Sequence, residues 1–348
     1  MERQDYNLPF MLTYENIAWF YEEGYVKILD RRIYPEKVEF VTCNKFEEVA
    51  QAVADMVTQS AGPYTAVGMG MALAAFECKD LSKEEQIKYL ENASYVLSHA
   101  RPTTANRMEK ITKGCLEVAK VAINNNENVA LAIKNETINS LNRRYSIMEK
   151  VGKNLSKQIK DGDRILTQCF GETIIGMLTR LLKEEKKENV KIYCAETRPY
   201  YQGARLTATC FAEMGFDTTI LTDNMIAYAM KYEKINVFTS AADTITRGGY
   251  IANKIGTYQI ALLAKEFGVP YYVTGIPDVD KFGENDITIE MRDPALVLGN
   301  HTHEKSKAIY PSFDITPPYL ISGIVTDNGI YSAFDLESYF ENEVKRFY

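Results

Sequence analysis

From residue 164 onward the chain alternates two textures. Mostly apolar runs of five to seven residues at 164–169, 190–195, 217–221, 235–241 and 269–274 are separated by stretches at 173–187, 202–214, 224–232 and 252–267 with apolar residues at helical spacing. The short runs read as buried strands and the 3.6-residue period as helices. Strand–helix alternation at this spacing predicts βαβ units and a parallel sheet. The first half reads differently. Val26-Lys27-Ile28-Leu29-Asp30 and Lys37-Val38-Glu39-Phe40-Val41 alternate like short strands around Pro35, and helical patterns cover 46–57, 66–76, 83–100 and 129–159. The expected fold class is therefore α/β: a Rossmann-like, parallel-sheet carboxyl-terminal domain preceded by a smaller, mainly helical amino-terminal domain with short strands. The boundaries read as residues 1–128, a long connecting helix at 129–160, and the sheet domain at 161–348.

Composition narrows the function classes. Apolar residues make up 46% of the 348 positions and charged residues 25%, enough for a substantial core and unlike a disordered chain. The net charge is -7 and the lysines and arginines are scattered among acids, so a phosphate-tracking nucleic-acid surface is not expected. The chain has no run of 18 apolar residues and hence no expected membrane span, and its acidic start, Met1-Glu2-Arg3-Gln4-Asp5, is unlike a signal peptide. Six widely spaced cysteines without a Cys-x-x-Cys pair argue against a zinc ribbon or a disulfide scaffold and for a reducing, cytoplasmic setting. His301-Thr302-His303 lies in a polar stretch and reads as a solvated loop rather than a metal site. The first strand of the sheet is followed by neither a Gly-x-Gly-x-x-Gly turn nor a Walker-type loop, so a dinucleotide or nucleoside-triphosphate site is not expected.

Candidate chemistry gathers at strand ends. Cys169 closes the first apolar run of the sheet and is followed by Phe170-Gly171-Glu172 and a helix. A cysteine at the carboxyl end of a strand lies where open α/β sheets bind ligands, and the field of the following helix is expected to favour its thiolate. The run 237–241 is likewise followed by Asp243. A thiol and a carboxylate at neighbouring strand ends make a candidate acid–base pair. Four further segments offer anion ligands at expected helix starts: Arg101 before Pro102, Glu196-Thr197-Arg198-Pro199, Gln202 before Gly203, and Asn253-Lys254 within Ala252-Asn253-Lys254-Ile255-Gly256-Thr257. Together they outline a pocket for a small phosphorylated metabolite.

Glu196-Thr197-Arg198-Pro199, Gln202-Gly203-Ala204-Arg205-Leu206-Thr207-Ala208 and Ala252-Asn253-Lys254-Ile255-Gly256-Thr257-Tyr258 resemble the signature of the 5-methylthioribose-1-phosphate isomerase family. That family shares a superfamily with ribose-1,5-bisphosphate isomerase and the regulatory subunits of translation initiation factor 2B. Ile28-Leu29-Asp30-Arg31-Arg32-Ile33-Tyr34-Pro35, Arg101-Pro102-Thr103 and Phe313-Asp314-Ile315-Thr316-Pro317 fall in the family's order, so the resemblance covers nearly the whole chain. It implies that Cys169 and Asp243 are the catalytic pair and that Arg101, Gln202, Asn253 and Lys254 hold phosphate, with Ser60 and Ala61 at the same site. It also implies a homodimer acting on a sugar phosphate, with neither nucleic-acid nor membrane partner. The activity implied is aldose–ketose isomerisation by acid–base chemistry, which requires no metal or organic cofactor.

The chain departs from the family pattern at specific positions. Ser60-Ala61-Gly62-Pro63 stands where the family has Arg-Gly-Ala-Pro, Phe170 stands for an asparagine, and Ala241-Ala242-Asp243-Thr244-Ile245 for Gly-Ala-Asp-Arg-Ile. Gly248-Gly249-Tyr250 replaces Asn-Gly-Asp. A lost arginine beside the phosphate is made up either by another cation, such as Arg107 or Arg247, or by stronger sugar contacts. The alternatives are an isomerase of another pentose 1-phosphate, such as 5-deoxyribose 1-phosphate or ribose 1,5-bisphosphate, and a non-catalytic initiation-factor-2B-like protein that binds sugar phosphate or nucleotide.

Overall fold

The computed structural model describes residues 3–101, 105–300 and 302–341. Two compact units divide the chain inside one helix, the first ending at Ser146 and the second beginning at Ile147.

The first unit pairs a small antiparallel sheet with helices. Strands β1 (Ala18–Tyr21), β2 (Tyr25–Leu29) and β3 (Phe40–Cys43) lie in that order, with Trp19 opposite Lys27 and Ile28 opposite Val41. After the short α1 (Tyr14–Ile17) the helices are α2 (Phe46–Ala54), α3 (Gly62–Glu77), α4 (Lys83–Ser98), α5 (Ala105–Asn125) and α6 (Val129–Ser156), the last crossing into the second unit. Helix α3 is buried at every position from Gly62 to Ala75. Its small residues let neighbours approach from all sides, as an all-round apolar helix requires. Val49, Met69, Leu73, Leu97, Ile111 and Ile133 belong to the core around it. Ser82 and Glu85 form a reciprocal capping box that starts α4.

The second unit carries a seven-stranded sheet. In chain order its strands are β4 (Arg164–Thr167), β5 (Lys191–Ala195), β6 (Asp217–Leu221), β7 (Val237–Ala241), β10 (Tyr271–Thr274), β12 (Gly323–Val325) and β13 (Ile330–Tyr331). Their spatial order is β13-β12-β10-β7-β4-β5-β6, parallel except for the antiparallel β13. Helices α7 (Glu172–Glu184), α8 (Ala208–Glu213), α9 (Ile226–Tyr232) and α10 (Thr257–Phe267) connect the strands. A second sheet of three short antiparallel strands, β8 (Thr244–Ile245), β9 (Ile251–Lys254) and β11 (Phe313–Thr316), has the order β11-β9-β8.

The α/β class with a parallel sheet and a helical amino-terminal region is thus observed. Three details differ from the sequence expectation. The segment 252–267 is not one helix: Asn253 and Lys254 lie on strand β9, and α10 begins only at Thr257. Gly256, at φ +101°, holds a left-handed turn that a helix cannot continue through. Strand β8 pairs with Ile251 and Ala252, but the partner of Asn253 and Lys254 is β11, about sixty residues away, with Asn253 opposite Asp314. The stretch 202–214 is split, a π-helical turn over Gly203–Thr207 leading into α8. Finally, β1 and the strands of the tail, β11 to β13, are too short to be read without their partners, and α5 is a further helix whose buried Met108, Ile111, Thr112, Cys115, Ala119 and Ala122 recur at helical spacing. Among the described residues no helix is long and apolar enough to cross a membrane.

Candidate active site

The strand order of the large sheet creates one reversal. The chain runs β4, β5, β6 towards one edge, then returns past β4 to β7 on its other side. Where connections leave two adjacent parallel strands in opposite directions, the carboxyl ends part and leave a crevice. Here those strands are β4 and β7, paired with Thr167 opposite Thr239. Cys169 lies two residues past β4 and Asp243 two residues past β7. A Cβ at Gly171 would meet the Ala241 Cβ at 2.7 Å, so the loop carrying Cys169 packs directly on the end of β7.

Cys169 is held on both sides. Its backbone N–H donates to Thr197 Oγ1 at 3.1 Å, and its carbonyl accepts from Thr207 Oγ1 at 2.5 Å. Thr197 in turn donates its N–H to the Asp223 carboxylate at 2.9 Å, and Gln168 Nε2 donates to the Ile255 carbonyl at 3.0 Å. These bonds tie the loops after β4, β5, β6 and β9 together. Cys169 has φ +60° and Thr197 φ +64°. The left-handed region is costly for a non-glycine residue, more so for a β-branched one, and such strain collects at functional sites.

The small sheet brings the other polar groups in. The Asp243 N–H donates to the Ala252 carbonyl at 2.9 Å, which sets β9 beside Asp243. Every residue of β9 is buried, Asn253 and Lys254 included. Asn253 Nδ2 donates to Thr257 Oγ1 at 3.0 Å, and Lys254 Nζ lies 4.7 Å from the Phe313 ring centre. The Asp314 carboxylate accepts from the N–H groups of Gly256 at 2.7 Å and Tyr258 at 3.0 Å, fixing the turn between β9 and α10. Burial raises the Asp314 pKa to about 6, against the opposing pull of those two N–H groups and Lys254. Gln202 sits at the mouth of the π turn, 7% exposed, and its Oε1 has no hydrogen-bond partner among the described residues. A Cβ at Gly203 would lie 1.8 Å from the Ala195 carbonyl oxygen, so only glycine lets this turn rest on the end of β5.

The electrostatics correct one expectation. Burial pushes the Cys169 thiol up to about 11; Lys254 pulls the other way, while Asp243 and Asp223 add to the rise. The expected lowering is not found, and the sulfur's loss of water is the largest cause of the rise.

Cys169, Asp243, Gln202, Asn253 and Lys254 therefore share one face of the second unit. Arg101, Ser60 and Ala61 belong to the first. Arg101 is half-buried in the bend after α4; Pro102 and Thr103 of its motif, like His301, lie outside the described residues. Ser60 has φ +59° and Ala61 precedes α3. Behind this turn stands a cation the sequence reading did not assign. Arg31 is fully buried, its Nη1 donating to the Gln59 carbonyl at 2.8 Å and its Nη2 to the Met11 carbonyl at 3.3 Å. Arg247, by contrast, is engaged by Glu337. Thr197, Thr207 and Asp314 were also unassigned, although all three sit inside segments that stood out in the sequence. A cleft of about 500 Å³ in the first unit, lined among others by Phe20, Phe76, Lys79 and Leu131, contains none of these residues.

The sequence profile described as the Initiation factor 2 subunit family matches residues 62–333. Methylthioribose-1-phosphate isomerase 1 of Pseudothermotoga lettingae is 34% identical over 326 residues, 87% of this chain and 91% of the relative. Methylthioribose-1-phosphate isomerase of Thermosipho melanesiensis is 33% identical over 87% of this chain and 91% of its own length. Among solved structures, 5-methylthioribose 1-phosphate isomerase from Pyrococcus horikoshii superposes with a TM-score of 0.82 at 28% identity, covering 97% of both chains. The delta subunit of translation initiation factor eIF-2B from A. fulgidus superposes with 0.79 at 27% identity, covering 91% of this chain and 96% of that one.

Proposed function

The chain belongs to the Initiation factor 2 subunit family, in its methylthioribose-1-phosphate isomerase branch, and from that premise we propose that it is an aldose–ketose isomerase acting on 5-methylthioribose 1-phosphate or a closely related aldose 1-phosphate. What supports the reading is that Cys169 and Asp243 each follow, by two residues, one of two adjacent parallel strands at the sheet's point of reversal.

An aldose 1-phosphate cannot open to a free aldehyde, because its anomeric oxygen carries phosphate. In the proposed route Asp243, as the acid, gives its proton to the ring oxygen as the carbon 1–ring oxygen bond breaks. Cys169, as thiolate, takes the proton from carbon 2, and the electron pair of that bond forms the carbon 1–carbon 2 double bond of an enol phosphate. Cys169 then returns its proton to carbon 1 while Asp243 accepts the proton of the carbon 2 hydroxyl, leaving a carbonyl at carbon 2. Both residues end as they began, and the redox change is internal to the sugar. The raised thiol pKa makes the thiolate the minor form at neutral pH, and the Lys254 charge offsets part of that rise. Arg101, Gln202, Asn253 and Lys254 are proposed to hold the phosphate, with Ser60 and Ala61 at the amino end of α3 contributing backbone. The protein is further proposed to act as a cytoplasmic homodimer.

The test is turnover of purified protein against a panel of aldose 1-phosphates, read by detection of the ketose product. Fastest conversion of methylthioribose 1-phosphate supports the plain reading. Preference for 5-deoxyribose 1-phosphate or ribose 1,5-bisphosphate moves the assignment to that sugar, in which case Ser60→Arg is expected to shift preference back. The likeness to the A. fulgidus subunit favours a second reading, a regulatory sugar-phosphate- or nucleotide-binding protein; binding without turnover is its signature.

A further inference from the structure

Two of the groups in the chemistry above come from different sheets. Cys169 follows β4 of the large sheet, whereas Lys254 ends β9 of the small one. Bonds outside the strand ladders therefore set how these two residues stand to one another. The Asp243 N–H, donating to the Ala252 carbonyl at 2.9 Å, ties down the first half of β9. The second half is tied by Gln168, the residue before Cys169. Its side chain is buried, and its Nε2 donates at 3.0 Å to the carbonyl of Ile255, the residue after Lys254.

A carboxamide suits this place. With its nitrogen on a carbonyl, its oxygen faces the Thr197 hydroxyl, whose one proton is offered to the Ala195 carbonyl at 3.1 Å and to Gln168 Oε1 at 3.3 Å. The same Thr197 oxygen accepts the Cys169 N–H. A Cβ at Gly256 would lie 3.2 Å from Gln168 Nε2, tighter than an ordinary contact, so glycine there lets the amide come close. The turn after β9 is thus gripped by two side chains. Asp314 takes its N–H groups at Gly256 and Tyr258, and Gln168 takes its carbonyl at Ile255. Of these two, Gln168 is the one that belongs to the Cys169 loop. Leaving the buried partners of that amide unpaired is unfavourable, so the loop and the turn stay together while the bond stands.

We propose that Gln168 is a positioning residue, whose hydrogen bond to the Ile255 carbonyl holds Lys254 in place relative to Cys169 so that base and phosphate ligand act on one substrate. The inference deepens the isomerase reading and rests on it for the roles of those two residues. Gln168 acts through the turn, by its reach and its donor: asparagine has the donor but is one methylene too short. The placement can be read at the sulfur, because the Lys254 charge lowers the Cys169 pKa against the effect of burial.

The experiment is a double-mutant cycle. The pH profile of the reaction of Cys169 with iodoacetamide is measured by peptide mass spectrometry in wild type, Gln168→Met, Lys254→Met and the double variant. Methionine keeps the length of glutamine and removes its donor. Gln168→Met is expected to move the midpoint upward by part of the shift that Lys254→Met gives, and to add nothing in the Lys254→Met background. An unchanged midpoint in Gln168→Met overturns the proposal. So does an equal shift in both backgrounds, which a role independent of Lys254 would give. Gln168→Asn, which keeps the amide without the reach, is expected to match Gln168→Met; a wild-type profile there overturns the proposal too. Loss of the folded state in both Gln168 variants, read by thermal unfolding, makes Gln168 a core residue and nothing more. The cycle needs no turnover. A wild type that converts no aldose 1-phosphate ends the isomerase reading and leaves the Gln168–Lys254 link standing or falling by the cycle, whereas turnover with an additive cycle keeps the isomerase and removes Gln168.

Discussion

Thr197 Oγ1 accepts a hydrogen bond from the Cys169 backbone N–H at 3.1 Å, and both residues hold left-handed backbone, at φ +64° and +60°. The bond joins the ends of neighbouring strands β4 and β5 and fixes the direction of the Cys169 side chain. Thr197→Val keeps the β-branch, and so the backbone strain, but leaves that N–H unpaired, a loss of about 1–3 kcal/mol. We expect Thr197→Val to lower kcat about ten-fold or more, while Thr197→Ser stays close to wild type. Equal kinetics in both variants would remove Thr197 from the positioning of Cys169.

The same backbone geometry sets a stability test. At φ +60° alanine pays about 1–2 kcal/mol that glycine does not, partly offset by the greater entropy of glycine in the unfolded chain. Cys169→Gly should therefore unfold at a higher denaturant concentration than Cys169→Ala. Both should be inactive, and Cys169→Ser and Asp243→Asn should each lower kcat by a factor of about 10² or more. Wild-type turnover in any of these variants excludes that residue from the chemistry.

The raised pKa of the half-buried Cys169 thiol predicts an unusual alkylation profile. Because the Cys169 thiol is pushed up to about 11, its reaction with iodoacetamide, which requires the thiolate, should be slow at neutral pH and rise towards pH 11. Lys254 lowers this pKa, so Lys254→Met should move the midpoint higher still. Bound sugar phosphate should protect the residue. Peptide mass spectrometry of Cys169 reads the rate; a midpoint below that of a free thiol would contradict the role assigned to burial.

Asp314 predicts a pH dependence of stability with a definite sign. Its pKa is raised from 3.8 unfolded to about 6 folded. Between about pH 4 and pH 6 the folded protein therefore binds more protons than the unfolded chain. The contribution is present in full below pH 4 and is lost as pH rises through 6, roughly 3 kcal/mol across the window. The stability difference between wild type and Asp314→Asn, from denaturant titrations at pH 4 and pH 7, should change in wild type's favour at the lower pH. A pH-independent difference would show that Asp314 titrates normally.

Phosphate binding should depend on the cations proposed to hold it. Arg101→Ala and Lys254→Met each remove a charged hydrogen bond, typically about 1.5–3 kcal/mol, so the Kd for any sugar phosphate should rise about ten-fold or more. Unchanged affinity in both variants would put the phosphate elsewhere.

The sequence by itself determined the alternation of the large sheet's first five strands with helices and the order of the candidate residues along it. Cys169 and Asp243 could be assigned to strand ends because a short apolar run followed by a turn is a local pattern, complete within about ten residues. The run 217–221 coincides with β6, and the runs before Cys169 and Asp243 end within two residues of β4 and β7. Only the tertiary structure decided the rest. Asn253 and Lys254 read as a helix start because their strand partner, β11, is supplied from about sixty residues away, beyond the reach of any local period. The strand order that separates the ends of β4 and β7 arises from a return across the sheet that leaves no mark on the residues it passes. The direction of the Cys169 pKa depends on how much water distant segments exclude. Desolvation is a sum over everything packed nearby, so it exists only once the chain has folded.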